Sequence, residues 1–303
     1  MSVKPMVAVT GATGMVGGAL VAALVAGGHP VRRLVRHATQ PMAGVEDVPW
    51  NPAARELDVR DLAGVGAVVH LAGENLAQRW TAELKRRMRE SRVESTRLLA
   101  DRIARMSDRP ATLVTASAIG IYGDRGDEVL DESSALGTGF LASLSEEWER
   151  ACDAAEQVGV RVVHPRFGII LSERGGALEK MLPPFKLGAG GTLGDGSQWM
   201  SWVVLDDVVS AIRFAIDHET VAGAANITAP NPVTNAQFTD ALGHALHRPT
   251  VARVPKFALR LMYGEMADAA LLASQRVMPA TLTAAGFHFA YPELQQALTK
   301  VLA

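Results

Sequence analysis

The stretch Val7–Leu24, VAVTGATGMVGGALVAAL, decides the fold. A short apolar run ends at Thr10, glycines 11, 14 and 17 follow at G-x-x-G-x-x-G spacing, and a small-residue helical pattern starts at once. Glycines in that order allow a tight turn, close backbone approach to a pyrophosphate, and close packing of helix on strand. The helix start then offers unpaired N–H groups and the positive end of a dipole to phosphate oxygens. Gly11, Thr13, Gly14, Met15, Val16 and Gly17 are therefore candidate dinucleotide-binding residues.

Outward from this turn, short apolar runs at 31–35, 67–71, 112–116 and 160–163 alternate with helical patterns near 15–27, 79–106 and 140–158. Strands alternating with helices predict a doubly wound parallel α/β sheet, a Rossmann fold. Beyond Arg166 the texture changes. Pro183, Pro184 and the glycines at 188, 190, 191, 194 and 196 mark a long loop region. A last strand is expected near 225–228, and the tail carries helical patterns in NAQFTDALGHAL, PKFALRLMYGEM and YPELQQALTKVL. This divides the chain into a dinucleotide-binding domain over 1–167, its sheet completed near 225–228, and a substrate-side lobe from 168–224 and 229–303.

The second strand ends in HPVRRLVRHATQ. An NAD-selective site usually places a carboxylate there for the ribose hydroxyls. This stretch has none and offers Arg33 and Arg36, whose guanidinium groups suit a 2′-phosphate. NADP(H) is the expected cofactor, with Arg36 the leading ligand. Leu71, Ala72 and Gly73 let the chain pass close to adenine and ribose. Thr115, Ala116 and Ser117 end another strand, and strand C-terminal ends are where ligands bind in open α/β sheets.

Composition narrows the rest. The chain has 303 residues and a formal net charge of −2, which gives no general attraction to nucleic acid or anionic membrane. The helical stretch 79–109 is basic, but Glu83, Glu90, Glu94, Asp101 and Asp108 make it a solvated salt-bridged surface. A single cysteine, Cys152, leaves no disulfide framework or cysteine metal cluster, and no metal site is expected. There is no uncharged apolar run long enough for a membrane helix and no signal-peptide pattern, so the expected setting is the cytoplasm. The expected partner is a small-molecule substrate; a homo-oligomer is neither required nor excluded by these patterns.

TGATGMVG, VVHLAG, SAIGIYG, HPRFG and GDGSQWMSWVVLDDV together resemble an extended short-chain dehydrogenase/reductase of the nucleotide-sugar epimerase/dehydratase type. A closer resemblance is to the atypical epimerase subgroup with a conserved C-terminal segment of unknown function. Its hallmarks here are SRVEST, FLASLSEEWE, the 175–198 loop with GGALEKML and GAGGTLGDGSQ, and the stretch VTNAQFTDALG through AAGFHF. The resemblance spans essentially the whole chain and implies an NADP-binding fold. It also implies that Pro165 borders the cofactor, that Ser117 matches a serine that binds the reacting oxygen, and that Arg92, which falls where related enzymes keep an active-site Asn, is a cofactor-binding residue.

Two departures bear on function. Relatives carry Tyr and Lys where this chain has Phe140 and Leu144, one helical turn apart. Phe140 has no proton to give, and Leu144 has no charge to lower a phenol's pKa. Relatives that take nucleotide diphosphate sugars carry Arg and Asp where this chain has Met200 and Ser201, which removes a guanidinium clamp on a diphosphate. The expectation is an NADP(H)-dependent oxidoreductase or epimerase-like enzyme acting on a small carbonyl or hydroxyl substrate with apolar character. The alternative is a non-catalytic NADP(H)-binding redox sensor or scaffold. Tyr122 and Ser117 are the candidate catalytic residues. Arg166, Gln198, Trp199 and Trp202 are the candidate substrate residues. Asp206 and Asp207 are expected to cap a helix, and His70 to be a satisfied core histidine.

Overall fold

The computed structural model describes residues 4–37 and 39–303, so Met1–Val3 of the N-terminal stretch and Ala38 of the second-strand stretch lie outside the described residues. The first half alternates strand and helix: β1 (Met6–Thr10), α1 (Met15–Ala26), β2 (Val31–Val35), β3 (Val45–Pro49), β4 (Val65–His70), α2 (Ala82–Arg89), α3 (Ser95–Ala104), β5 (Thr112–Thr115) and β6 (Ser117–Ala118). Next come β7 (Val129–Leu130), α4 (Phe140–Arg150), α5 (Asp153–Glu156) and β8 (Arg161–Phe167). Seven strands lie in the order β13-β8-β5-β4-β1-β2-β3, where β13 is Gly223–Ile227, and β6 adds to β8. Every pairing in this sheet is parallel. The strand order reverses between β1 and β4, the switch point at which doubly wound sheets bind ligands.

β3 was not among the apolar runs of the sequence. It is an edge strand with Glu46 and Asp47 in its middle, so only Val48 is buried. The expected helix over 79–106 is broken: α2 and α3 are joined by a π-helical turn, Glu90–Glu94. Here side chains compete for the helical carbonyls. Ser91 Oγ donates to the Met88 carbonyl and Ser95 Oγ to that of Ser91.

Two apolar clusters cover the two faces of the sheet. One packs α1 and α7 (Leu205–Asp217) on Val7, Val9, Val69 and Val114; the other packs α3 on Ala8, Val68 and Leu113. α7 lies within 168–224 yet packs on α1, so the sheet layer extends beyond the 1–167 division expected from sequence.

The remaining elements are β9 (Ile169–Leu171), α6 (Gly176–Lys186), β10 (Gly191–Leu193), β11 (Trp199–Met200), β12 (Trp202–Val204), β14 (Val233–Thr234), α8 (Asn235–Leu246), β15 (Ala252–Val254), α9 (Lys256–Tyr263), β16 (Arg276–Val277), α10 (Ala280–Ala284) and α11 (Leu294–Val301). They form the two-stranded pairs β9–β12, β10–β15 and β11–β14, and β16 pairs with β7; a third cluster is centred on Trp202 and Phe238, while Leu130 and Val277 of the β7–β16 pair lie with Ile121 and Tyr122. The tail is tied back to the sheet layer by Asp207, whose carboxylate accepts from the Ala290 and Tyr291 amides at 2.8 and 3.1 Å. Asp207 is therefore a tether, with no side-chain capping bond at the start of α7.

Among the described residues, no helix is long and apolar enough to cross a membrane, and no group of three or more His, Cys, Asp or Glu is placed to hold a metal ion.

Candidate functional site

The glycine turn is seated on the end of β4. Gly11 has φ +64°, and a Cβ built on it would lie 2.7 Å from the Leu71 carbonyl and 2.8 Å from the Ala72 nitrogen. A Cβ on Gly17 would lie 2.2 Å from the Gly11 carbonyl oxygen. Gly14 caps α1 without a side-chain hydrogen bond, and Thr13 and Gly14 are exposed, so the start of α1 carries no side-chain partner of its own. This backbone cradle fits a pyrophosphate.

His70, beneath the turn, fixes its partner strand. The Thr10 hydroxyl accepts from the Leu71 and Ala72 amides at 3.1 and 3.3 Å, leaving its proton for His70 Nδ1 at 2.7 Å. His70 Nε2 then donates to Ser95 Oγ at 3.0 Å. His70 is fully buried, and burial lowers its pKa to about 4, so it is a neutral structural group.

At the β2 end the arginines divide. Arg33 is buried, with Nε donating to Asp47 Oδ1 at 2.6 Å and Nη2 to the Gln40 carbonyl at 3.0 Å. Arg33 is thus not a free phosphate ligand as the sequence suggested. β3 supplies the carboxylate that pairs with it, which the β2 stretch could not reveal. Against the upward push of burial, Thr39 and Arg33 hold Asp47 below the ordinary carboxylate range. Arg36 is exposed and forms no ion pair among the described residues.

Arg92 lies on the π-helical turn with 8% exposure. It borders Gly73: a Cβ there would lie 3.2 Å from the guanidinium carbon. Thr115 and Ala116 are buried at the end of β5, and Pro165 lies within β8, opposite Ala225 of β13. Met15 packs on the Gly175–Gly176 turn before α6; a Cβ on Gly175 would lie 3.2 Å from its sulfur.

The candidate catalytic residues are joined in one buried network. Ser117 Oγ donates to Glu149 Oε1 at 2.6 Å. Arg166 grips the same carboxylate with Nε and Nη2, each at 2.9 Å, and donates through Nη1 to the Tyr122 hydroxyl at 2.8 Å. Tyr122 donates onward to Asn226 Oδ1 at 2.8 Å. Tyr122 is fully buried, and burial pushes its phenol above the ordinary range despite Arg166. This placement corrects three expectations. Tyr122 has no face for a substrate, Arg166 is consumed by an internal carboxylate, and the Ser117 proton is directed at Glu149. Glu149 was missed by sequence reasoning. It sits within the stretch FLASLSEEWE, but its partners lie 17 and 32 residues away.

Phe140 is half-buried at the start of α4, edge-on to Trp80 at 5.3 Å between centroids, with Lys85 Nζ 4.8 Å from its centroid. Leu144 is a core residue beside Trp80, Leu84, Met88 and Trp148. Phe140 also borders a surface cavity of about 570 Å³ lined by Lys85, Arg86 and Arg89. That cavity does not include the glycine turn. On α2 and the π turn, Arg86 is paired with Glu83 and Glu90, and Arg89 with Glu147.

On the lobe, Trp202 is fully buried in the third cluster, a core residue and not a pocket wall. Gln198 is buried, its amide donating to the Leu193 and Leu271 carbonyls at 3.2 Å each, so it is not free for substrate. Trp199 is half-buried under the Arg276 guanidinium, 4.2 Å from the ring centroid, and donates to Asp127 at 2.8 Å.

Comparison with known proteins agrees with this architecture. Residues 7–228 match the NAD dependent epimerase/dehydratase family, and residues 254–301 match a domain of unknown function, DUF1731. An epimerase family protein of Mycobacterium bovis is 46% identical over 294 residues, 97% of this chain and 96% of that protein. One from Bacillus subtilis is 36% identical over 301 residues, 98% of each. Among solved structures, a human epimerase family protein crystallised with NADPH aligns with a TM-score of 0.85 at 31% identity, covering 98% of both chains. A nucleoside-diphosphate sugar epimerase from Corynebacterium glutamicum aligns at 0.79 with 38% identity, covering 98% of this chain and 58% of that one.

Proposed function

This chain belongs to the NAD dependent epimerase/dehydratase family, and on that premise we propose that it binds NADP(H) and acts as an oxidoreductase or epimerase-like enzyme on a small, partly apolar carbonyl or hydroxyl compound. One observation carries the cofactor half: the Gly11 turn lies against Leu71–Ala72 beneath the uncapped start of α1, where a side chain would fill the cradle. Gly11, Thr13, Gly14, Met15, Val16 and Gly17 would hold the pyrophosphate. Leu71, Ala72 and Gly73 would flank the ligand, with Thr115, Ala116 and Pro165 beneath it. Arg36 is an exposed guanidinium at the β2 end that would meet a 2′-phosphate, while Asp47 is already held by Arg33 and Thr39. The human relative's NADPH supports the same preference.

When bound, the nicotinamide would supply or accept the hydride. The chain's own part is to orient the substrate and exclude water. Half-buried Phe140, packed edge-on against Trp80, offers an apolar surface on the α4 side, and Trp199 with Arg276 offers a flat polar-edged wall on the lobe. A second reading, a non-catalytic NADP(H)-binding redox sensor or scaffold, is favoured by one observation: both candidate acids, Ser117 and Tyr122, are committed within the Glu149–Arg166 network.

Fluorescence titration with NADPH and NADH at fixed salt tests the cofactor half. A stopped-flow screen of carbonyl compounds with NADPH separates the two readings. Hydride transfer to any of them supports the enzyme, and tight binding without transfer supports the sensor.

A further inference from the structure

Trp199 is pinned in place. Its Nε1 donates to Asp127 Oδ1 at 2.8 Å, its amide to Ser274 Oγ at 3.0 Å, and its carbonyl accepts from the Gln275 amide at 3.2 Å. The Arg276 guanidinium lies on the Trp199 ring, 4.2 Å from the centroid. Arg276 is half-buried, its Nε is buried with no hydrogen-bond partner, and the guanidinium forms no ion pair among the described residues. The carboxylates of the loop before β7 have other partners. Asp127 holds Trp199, Glu128 holds Arg125 at 2.6 Å, and Asp124 accepts from the Ser274 amide at 3.0 Å. Stacking fixes the plane of the guanidinium and gives it no acceptor. A half-buried cation in that condition is unfavourable until an anion arrives.

The segment that carries Arg276 is tied to the end of the sheet. β16 runs beside β7, with Arg276 opposite Val129. The Gln275 side-chain amide donates to the Ile119 and Gly123 carbonyls at 3.1 and 3.0 Å, and Ser274 Oγ to the Gly126 carbonyl at 2.6 Å. Those carbonyls belong to the stretch that leaves β6 directly after Ser117 and Ala118. From the lobe, Ser201 Oγ donates to the Gln275 carbonyl at 2.8 Å. Arg276 therefore stands at the seam between the C-terminal edge of the sheet and the lobe, where substrates lie in open α/β sheets. Arg125, the cation of the loop before β7, is taken by Glu128, so Arg276 meets an anion without its help. A single planar guanidinium matches a single planar carboxylate in charge and shape, and would leave a phosphate dianion half-neutralised. We propose that Arg276 binds a carboxylate of the substrate through its Nη groups, so that the compound resting on the Trp199 wall is an oxo or hydroxy acid with an apolar remainder.

This inference rests on the reading of the site as one for carbonyl or hydroxyl compounds, and the test separates the two. Benzoylformate, an aryl 2-oxo acid, is compared with its methyl ester, which keeps the ring and the ketone and loses the charge. Each is titrated calorimetrically into NADPH-loaded protein at fixed salt. The wild type should bind the acid about tenfold or more tighter than the ester. Arg276→Met should bring the acid down to the affinity of the ester and leave the affinities for ester and NADPH unchanged. Arg276→Lys should keep part of the preference. Each variant is also scored by the rise in its own Tm on adding each probe, so a loss of stability does not enter the comparison. Equal affinity for acid and ester in the wild type, a preference that survives Arg276→Met, or no binding of the acid at millimolar concentration would overturn the role of Arg276. Tighter binding of phenyl phosphate than of benzoylformate would overturn the choice of carboxylate. Reduction of acid and ester with equal kcat/KM would keep the carbonyl reading and remove Arg276 from it. Binding of the acid through Arg276 with no oxidation of NADPH would support the carboxylate site and favour the non-catalytic sensor.

Discussion

Ser117 Oγ and Arg166 Nε meet on the same oxygen, Glu149 Oε1, at 2.6 and 2.9 Å. The serine therefore belongs to the support of a buried ion pair, with Arg166 5% exposed and the Glu149 side chain 14% exposed. Removing one partner of such a pair strands the other. Glu149→Ala should destabilise the fold by about 3–5 kcal/mol. Ser117→Ala leaves the pair intact and should cost about 1 kcal/mol, with NADPH affinity unchanged. Urea denaturation checks both. A Ser117→Ala variant as unstable as Glu149→Ala would contradict this division of roles.

His70 gives a pH signature. Its pKa is about 4 in the fold, against 6.5 for a free histidine, because burial disfavours the cation. Between those values the unfolded chain binds a proton that the folded chain refuses. Stability should therefore fall as pH drops from 6.5 to 4, by about 3 kcal/mol from this group. The loss is complete below pH 4. Unfolding free energies at pH 7 and pH 4.5, compared with those of His70→Gln, isolate the contribution from the carboxylates that titrate nearby. A variant with the same pH slope as the wild type would refute it.

Gly11→Ala should abolish NADPH binding, because it forces φ +64° on a residue with a side chain and drives a methyl to 2.7 Å from the Leu71 carbonyl. The whole-chain fold, held by clusters on both sheet faces, should persist. Circular dichroism and NADPH titration report the two outcomes separately, and retained binding would move the cofactor elsewhere.

Arg36→Glu should reverse the cofactor preference. It replaces the exposed guanidinium at the β2 end with a carboxylate that repels a 2′-phosphate and accepts from a ribose hydroxyl. NADPH affinity should fall about tenfold or more, with NADH affinity equal or higher. Equal affinity for both cofactors in the wild type would remove the basis of the assignment.

What could be read from the sequence, and what could not, follows from range. The Gly11–Gly17 turn is local: strand, glycines and helix are adjacent in the chain, so their pattern describes their geometry. A strand was expected near 225–228, and β13 spans Gly223–Ile227. Long-range pairings left no such trace. Arg33 looks free beside its own neighbours, but its carboxylate comes from Asp47, 14 residues on, in a strand too polar to stand out. Trp202 lies beside half-buried Trp199 in a loop-rich stretch, but β12 turns it into the core under Phe238. Arg166 and Tyr122 were read from the sequence as candidate site residues. Their burial depends on Glu149 from α4 and Asn226 from β13, and neither pairing has a sequence period.

Phe140→Tyr tests whether this scaffold lacks only a proton donor. A Tyr and Lys pair at 140 and 144 would not simply restore one. Leu144 is 2% exposed among Trp80, Leu84, Met88 and Trp148. Leu144→Lys would bury an ammonium in that cluster, so a marked loss of stability, about 2 kcal/mol or more, is expected. Phe140 is different. Its ring is half-buried, and Lys85 Nζ already lies 4.8 Å from the ring centroid, paired with Glu265. Phe140→Tyr therefore adds a phenol next to an existing ammonium, which favours the phenolate. The single variant should keep its Tm within a few degrees and bind NADPH as the wild type does. Its NADPH-dependent reduction of quinones and diketones should rise above the wild-type rate. General acid catalysis contributes about 100-fold or more when well placed, so even a poorly aligned phenol should be visible in a stopped-flow trace. Adding Lys85→Met should reverse the gain and shift the pH of half-maximal rate upward, because the ammonium no longer lowers the phenol's pKa. A Phe140→Tyr variant that binds NADPH fully and transfers no hydride would show that the acid is not the only missing part, and would favour the non-catalytic sensor.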